Sequence, residues 1–333
     1  MAWWPAFFAV LAAMLFSGAA AGEGQATEDT RLAESFAELL DAKRWPEAEA
    51  DAQARMAADP TDTGAGADLA QVILLSDQRD RQDVAIGLLE KAIEAKPGNA
   101  RYYFLIGRFY GAKARSAGMG ALSLAGKSKH ALARAVELEP ESFEYNYALN
   151  EYYLEAPFIA GGGVGKARKT AQEFTRVDPD GGAMLTARIL NREKEFEKAL
   201  SILRTLKRRN DGLYDPTRRN LLSEAAMGLI DHGRAAAALP VFVDVTGEFP
   251  NNAVGHLGLG RARLETGDVA RAVQSLCRSL EIARRLETLY HLGIAYQAAG
   301  KFDDARLVLI EAEQAARGTM ADDIRHRLAS LGG

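Results

Sequence analysis

Small residues recur along this chain at a spacing that a stack of helix pairs requires and a single globular core does not. Ala48, Ala85, Ala167, Ala199, Ala238, Ala272 and Ala305 fall into one slot of a unit about 34 residues long. Pro60, Pro97 and Pro179 stand twelve residues beyond the first three of these alanines, and Pro250 stands twelve beyond Ala238. Pro140 and Pro216 punctuate the units between them. Seven residues after the slot come Ala92, Phe174, Leu206, Val245 and Ala312, a second apolar contact on the same helical face. Earlier in the unit Gly107, Gly260 and Gly293 hold one position, followed three residues later by Tyr110 and Tyr296 in two cases. An Ala or Gly at such points lets two helix backbones approach closely, and the aromatic fills the groove beside them. Each unit is then a pair of antiparallel helices that cannot bury its apolar faces alone, so successive pairs must stack into a continuous array.

The pattern resembles the tetratricopeptide repeat family, whose consensus sets Leu-Gly, Tyr, Ala, Phe, Ala and a closing Pro at these intervals. The best single match is Leu289, Leu292, Gly293, Tyr296, Ala305, Leu309 and Ala312. The resemblance implies an all-α fold, a right-handed superhelical solenoid of antiparallel helix pairs over residues 29–317, with about eight pairs. Two units depart from it by insertion, near residues 117–126 and 156–163. Residues 318–333 read as a capping helix and tail, because Ile324, Leu328 and Leu331 recur at helical spacing with charges between them.

The amino end carries a compartment signal. Residues 7–16 are uninterruptedly apolar and 17–21 are small, ending in Ala19-Ala20-Ala21 before Gly22. Residues 1–21 therefore read as a secretory signal peptide and 22–28 as a short linker. The start departs from the pattern, since residues 2–5 offer no Lys or Arg. A retained membrane anchor is the alternative reading, because residues 2–21 approach the ~20 residues that a spanning helix needs. No Cys stands at the cleavage site to take a lipid. The leader and the Ala-rich composition predict an exported bacterial member of the family, periplasmic or secreted, with no membrane span once the leader is cut.

Charge narrows the partners. The formal net charge is −4, and between Arg101 and Val136 there are seven Lys and Arg with no Asp or Glu. Glu137, Glu139, Glu141, Glu144, Glu151 and Glu155 follow with no Lys or Arg among them. Such segregation reads either as neighbouring units neutralising each other or as a charged stripe that orients a partner. Export and the acidic balance both argue against nucleic acid.

No chemistry-bearing constellation emerges. Residues 121–128 and 160–167 imitate phosphate-binding loops, but such a loop needs a strand that delivers backbone N–H groups to the phosphates, and no parallel-sheet pattern is present. The glycines from Gly161 to Gly165 read instead as a turn after Pro157 that starts a helix at Lys166. The five histidines are scattered over different units, and Cys277 is the only cysteine, placed beside Leu276 as a packed thiol. Asp59 to Gly64 begins like a calcium loop, yet Ala70 stands where the bidentate Glu belongs. The sequence thus predicts no enzyme, cofactor or metal.

What the resemblance implies instead is a groove lined by the first helices of the pairs. Carried onto this sequence, its candidate partner-binding residues are Arg101, Phe104, Arg108, Tyr147, Glu151, Arg188, Asn191, Arg261 and Tyr290. Arg with Tyr is the composition of interaction hot spots. The basic and Asn clamp by which some relatives grip a peptide carboxylate is not matched, since Ala33 and Ala37 stand at those positions. The expected function is a non-catalytic scaffold that binds a protein or peptide in this groove. The alternative is a small-ligand-binding accessory of an envelope transport system, with the two insertions shaping a pocket.

Overall fold

The computed structural model describes residues 36–331, and among these the regular structure is wholly helical. The leader and linker read in residues 1–28, the start of the array before residue 36, and residues 332–333 lie outside the described residues. The helices are α1 (described over 36–41), α2 (Trp45–Ala58), α3 (Thr63–Leu75), α4 (Gln82–Ala95), α5 (Ala100–Ser116) and α6 (Ala121–Leu138). They continue with α7 (Phe143–Glu155), α8 (Val164–Thr175), α9 (Pro179–Arg192), α10 (Phe196–Leu203), α11 (Tyr214–Asp231) and α12 (Ala235–Glu248). Last come α13 (Ala253–Glu265), α14 (Val269–Ile282), α15 (Leu286–Ala298), α16 (Phe302–Ala315) and α17 (Gly318–Ser330).

Local chemistry sets many of these boundaries. Asp62, Asn99, Ser142 and Asn252 cap α3, α5, α7 and α13, each accepting a backbone N–H of the first turn. Pro60, Pro97, Pro140 and Pro250 follow the ends of α2, α4, α6 and α12, where a residue without an N–H cannot extend the ladder. Two prolines act differently from the sequence expectation. Pro179 opens α9 and Pro216 lies in the first turn of α11, positions whose N–H has no intrahelical partner to lose.

Contacts divide the chain into two compact units. Unit 1 runs to Ile189 and includes Leu206–Thr217; unit 2 comprises Leu190–Thr205 and everything from Arg218. In unit 1 consecutive helices pack on one another from α2 through to α8, and the first helices α3 and α5 also touch. Ala48, Ala85 and Ala167 are completely buried in their shared slot. In α6 the same slot is filled by Ser128, whose hydroxyl donates to the Gly107 carbonyl at 2.8 Å. On α7, Asn150 stands where Gly107 stands on α5, and it donates to the Ala167 carbonyl at 2.8 Å. Phe143 gathers Tyr147, Phe174 and Tyr214 around it, with ring centroids 5.5 to 6.3 Å away.

Unit 2 repeats the scheme. Ala199, Ala238, Ala272 and Ala305 are fully buried. Gly260 and Gly293 face Leu276 and Leu309 so closely that a Cβ would lie 2.5 and 2.6 Å from those side chains. Helix α17 packs on α16 as a cap, with Ile324 wholly buried beside Leu309 and Ala312.

Candidate partner-binding face

Helices α5 and α7, with Arg188 of α9, bring charged side chains of unit 1 to one face. Arg101, Arg108 and Arg115 recur every seven residues on α5, as do Glu144 and Glu151 on α7, so each set shares a helical stripe. Most of these charges are committed within the protein. Arg101 donates to Asp68 Oδ1 on α3 at 2.6 Å and to Gln71, and Asp68 is also held by Arg55 at 2.6 Å. Arg188 reaches Glu151 at 3.4 Å while its guanidinium lies 4.3 Å from the centre of the Tyr147 ring. Phe104 and Tyr147 are buried and form the floor, with Phe104 stacked 5.0 Å from Tyr145.

Arg108 and Glu144 are different. Arg108 leans over Phe104, 5.9 Å from the ring centre, and makes no ion pair among the described residues. Glu144 is half-buried with neither a hydrogen bond nor an ion pair there. Burial pushes its carboxyl up to about 7, Arg108 and Arg101 work against that rise, and Asp211 adds to it. Burial also lowers Arg115, to about 10, and repulsion from Arg108 contributes. The face thus holds a cation and a carboxyl that influence each other without closing into a bridge.

Asp211 arrives from a loop that no sequence motif places here. Asp215 accepts the backbone N–H groups of Arg209 and Asn210 at 2.9 and 3.0 Å. Arg209 in turn forks onto Asp178 at 2.8 and 2.6 Å and covers the Tyr214 ring at 4.0 Å. This fastening pins the connection after α10 to unit 1.

The sequence-predicted residues of unit 2 serve mainly to join helices. Asn191 is buried and donates to the Leu221 carbonyl at 3.0 Å. Arg261 bonds Asp231 at 2.8 Å. Tyr290 donates to Asp323 of the cap at 2.8 Å, and Arg327 holds the same carboxylate at 2.6 Å. His291 beside them is brought down to about 4, first by burial and then by Arg261, so it is neutral at pH 7. Of the nine predicted residues, Arg101, Phe104, Arg108, Tyr147, Glu151 and Arg188 belong to unit 1, and Asn191, Arg261 and Tyr290 to unit 2.

The two loop look-alikes resolve into packing. Ser128 is spent on Gly107, and residues 157–163 form a tight turn from which α8 starts at Val164, two residues before the expected Lys166. Gly162 is obligatory there, because a Cβ would stand 1.8 Å from the Ala156 carbonyl oxygen. Cys277 is half-buried, 3.6 Å from the Tyr296 hydroxyl. Among the described residues no His, Cys, Asp and Glu converge as a metal cluster, and no helix is long and apolar enough to cross a membrane.

Comparison with known proteins agrees with this geometry. Residues 229–285 match the family model of the tetratricopeptide repeat. The matched stretch spans α12, α13 and α14 of unit 2 and supports the resemblance drawn from the sequence. Among solved structures, yeast Tom70 superposes with a TM-score of 0.63 at 13% identity, covering 97% of this chain and 68% of that one. The APC/C hetero-tetramer Cut9–Hcn1 gives a TM-score of 0.50 at 13% identity, over 91% of this chain and 56% of that one. At such identities the likeness is one of fold: an all-helical array of the tetratricopeptide type, typical of protein–protein interaction. No curated protein matches the sequence.

Proposed function

We propose that this protein is an exported, non-catalytic scaffold that holds a protein or peptide segment against the first-helix face of unit 1. The observation that carries this reading is the open pair of Arg108 and Glu144. A guanidinium and a carboxyl, both partly withdrawn from water and neither closed into an ion pair, favour a segment that presents a carboxylate to Arg108 and a donor to Glu144. Arg101, Glu151 and Arg188 frame the position and are already locked by internal bonds. Binding there costs little further ordering of side chains. Export rests on the apolar run of residues 7–16 and the Ala19–Ala21 ending. The small-ligand reading would require the inserted segments to enclose an apolar pocket; Met119, Leu122, Phe158 and Ile159 are exposed instead.

Affinity capture from an envelope fraction at low salt tests the proposal, comparing wild type with Arg108→Ser and Arg101→Ser. Arg108→Ser is expected to weaken capture roughly tenfold, chiefly through slower association, with an unchanged melt. Arg101→Ser is expected to act mainly on stability, by leaving Asp68 with one partner fewer. Undiminished capture by both Arg108→Ser and a Glu144→Gln variant would rule out this face.

A further inference from the structure

The two lengthened connections of unit 1 carry apolar side chains that nothing described covers. Phe158 is 85% exposed and Ile159 78%, and Met119, before α6, and Leu122, in its first turn, stand open. The first two are held rigidly. Gly161 N donates to the Phe158 carbonyl at 2.8 Å, Gly163 N to Tyr153 at 2.7 Å, and the Tyr152 hydroxyl to Ala160 at 2.6 Å. The turn packs against α6. Leu122 and Lys129 lie on one stripe of α6, about 10 Å apart, and Lys129 is the α6 side chain that meets the turn at Gly161. Leu122 therefore shares a stripe of α6 with the lysine that meets the turn of Phe158 and Ile159, and Met119 precedes it by three residues.

Two ammonium groups stand at the base of Phe158 and Ile159. A Cβ on Gly161 would lie 3.5 Å from Lys129 Nζ and 3.7 Å from Lys166 Nζ. Lys166 donates to the Gly161 carbonyl at 2.7 Å, and neither lysine makes an ion pair among the described residues. Convergent like charges beside a fixed apolar pair raise the energy of the bare edge, and an anionic interface relieves both defects together.

We propose that this edge docks on an anionic lipid bilayer surface, with Phe158 and Ile159 entering the interface and Lys129 and Lys166 facing the phosphates. The headgroup boundary supplies what these residues lack: an apolar layer for the rings and branched chains, and negative charge at the depth where the ammonium groups lie. Met119 and Leu122 extend the contact along α6. The inference stands apart from the first-helix face, and its failure would leave that reading untouched.

The test uses the chain from residue 22, which retains every described helix, and measures co-sedimentation with vesicles. Binding to vesicles of equal parts phosphatidylglycerol and phosphatidylcholine is expected to exceed that to pure phosphatidylcholine by about tenfold or more, and to weaken with salt. Phe158→Ser with Ile159→Ser, and separately Lys129→Gln, should each reduce binding about fivefold or more. Leu307→Ser, at a site in unit 2 that is also exposed, should change nothing. Should the serine pair lower the melt, Lys129→Gln decides alone, since that side chain makes no hydrogen bond among the described residues. Equal partition onto the two vesicle types, or full retention of binding by these variants, overturns the proposal. So does release by inorganic phosphate beyond that caused by sodium chloride at the same ionic strength, which would mark a free-anion site. An oligomer that becomes monomeric on the serine substitutions, without lipid binding, would make the edge an interface between copies and sink the lipid assignment.

Discussion

Replacing Glu144 by Gln should make the protein more stable at pH 8 while leaving it nearly unchanged at pH 4.5. The carboxyl is raised from an ordinary 4.5 to about 7 because burial disfavours its charged form. The folded chain thus holds this proton more tightly than the unfolded chain. Its contribution to stability is full below about pH 4.5 and is lost progressively as pH rises through about 7. At about 1.4 kcal/mol per pH unit, the interval sets a ceiling of about 3.5 kcal/mol. Water still reaches the half-buried side chain, so about 1–2 kcal/mol is the expected effect. Gln keeps the size and removes the titration, and every other group titrates alike in both proteins. Thermal melts at pH 4.5, 6 and 8 should therefore diverge, with the variant ahead by about 2–4 °C at the highest pH. Midpoints that run parallel across this range would show that the carboxyl is not held back from ionising, and the open charge pair would lose its physical basis.

Further substitutions probe the packing. Ala199→Leu and Ala305→Leu should each cost about 1–3 kcal/mol by overfilling a completely buried contact, seen as a lower melting midpoint; an unchanged midpoint would break the repeat register. Gly162→Ala should cost about 2 kcal/mol or more, since the new methyl meets backbone rather than a movable side chain, and urea unfolding would register it. Asn150→Ala should cost about 1 kcal/mol by removing the second donor to the Ala167 carbonyl, a loss partly offset because the buried Asn150 Oδ1 has no partner, and urea unfolding would register it; a cost of about 3 kcal/mol or more would refute this balance.

The fold was legible because one small residue per second helix cannot be exchanged without moving two backbones, which leaves a periodic mark. The mark fades where polar residues take over. Ser128 fills the alanine slot of α6, displaced by the insertion before it, and Asn150 takes the glycine position of α7 at its regular spacing. The binding face was legible only as a list of first-helix positions. Which charges remain open depends on partners far along the chain, such as Asp68 for Arg101, and sequence periodicity carries no trace of that pairing. Phe158 and Ile159 face outward because a backbone turn sets them so, and residue type alone does not record that.

The bonds made by Ser128 and Asn150 have a consequence for how this chain can vary. Both join the two helices of a lengthened pair through a side chain and a backbone carbonyl, so the pair is riveted independently of the loop that links it. Doubling a loop raises its closure cost by only about 0.6 kcal/mol, and one such bond offsets that with about 1 kcal/mol. The edge carrying these connections can therefore be lengthened, and re-lettered except at Gly162, while the helix pairs beneath it keep their register.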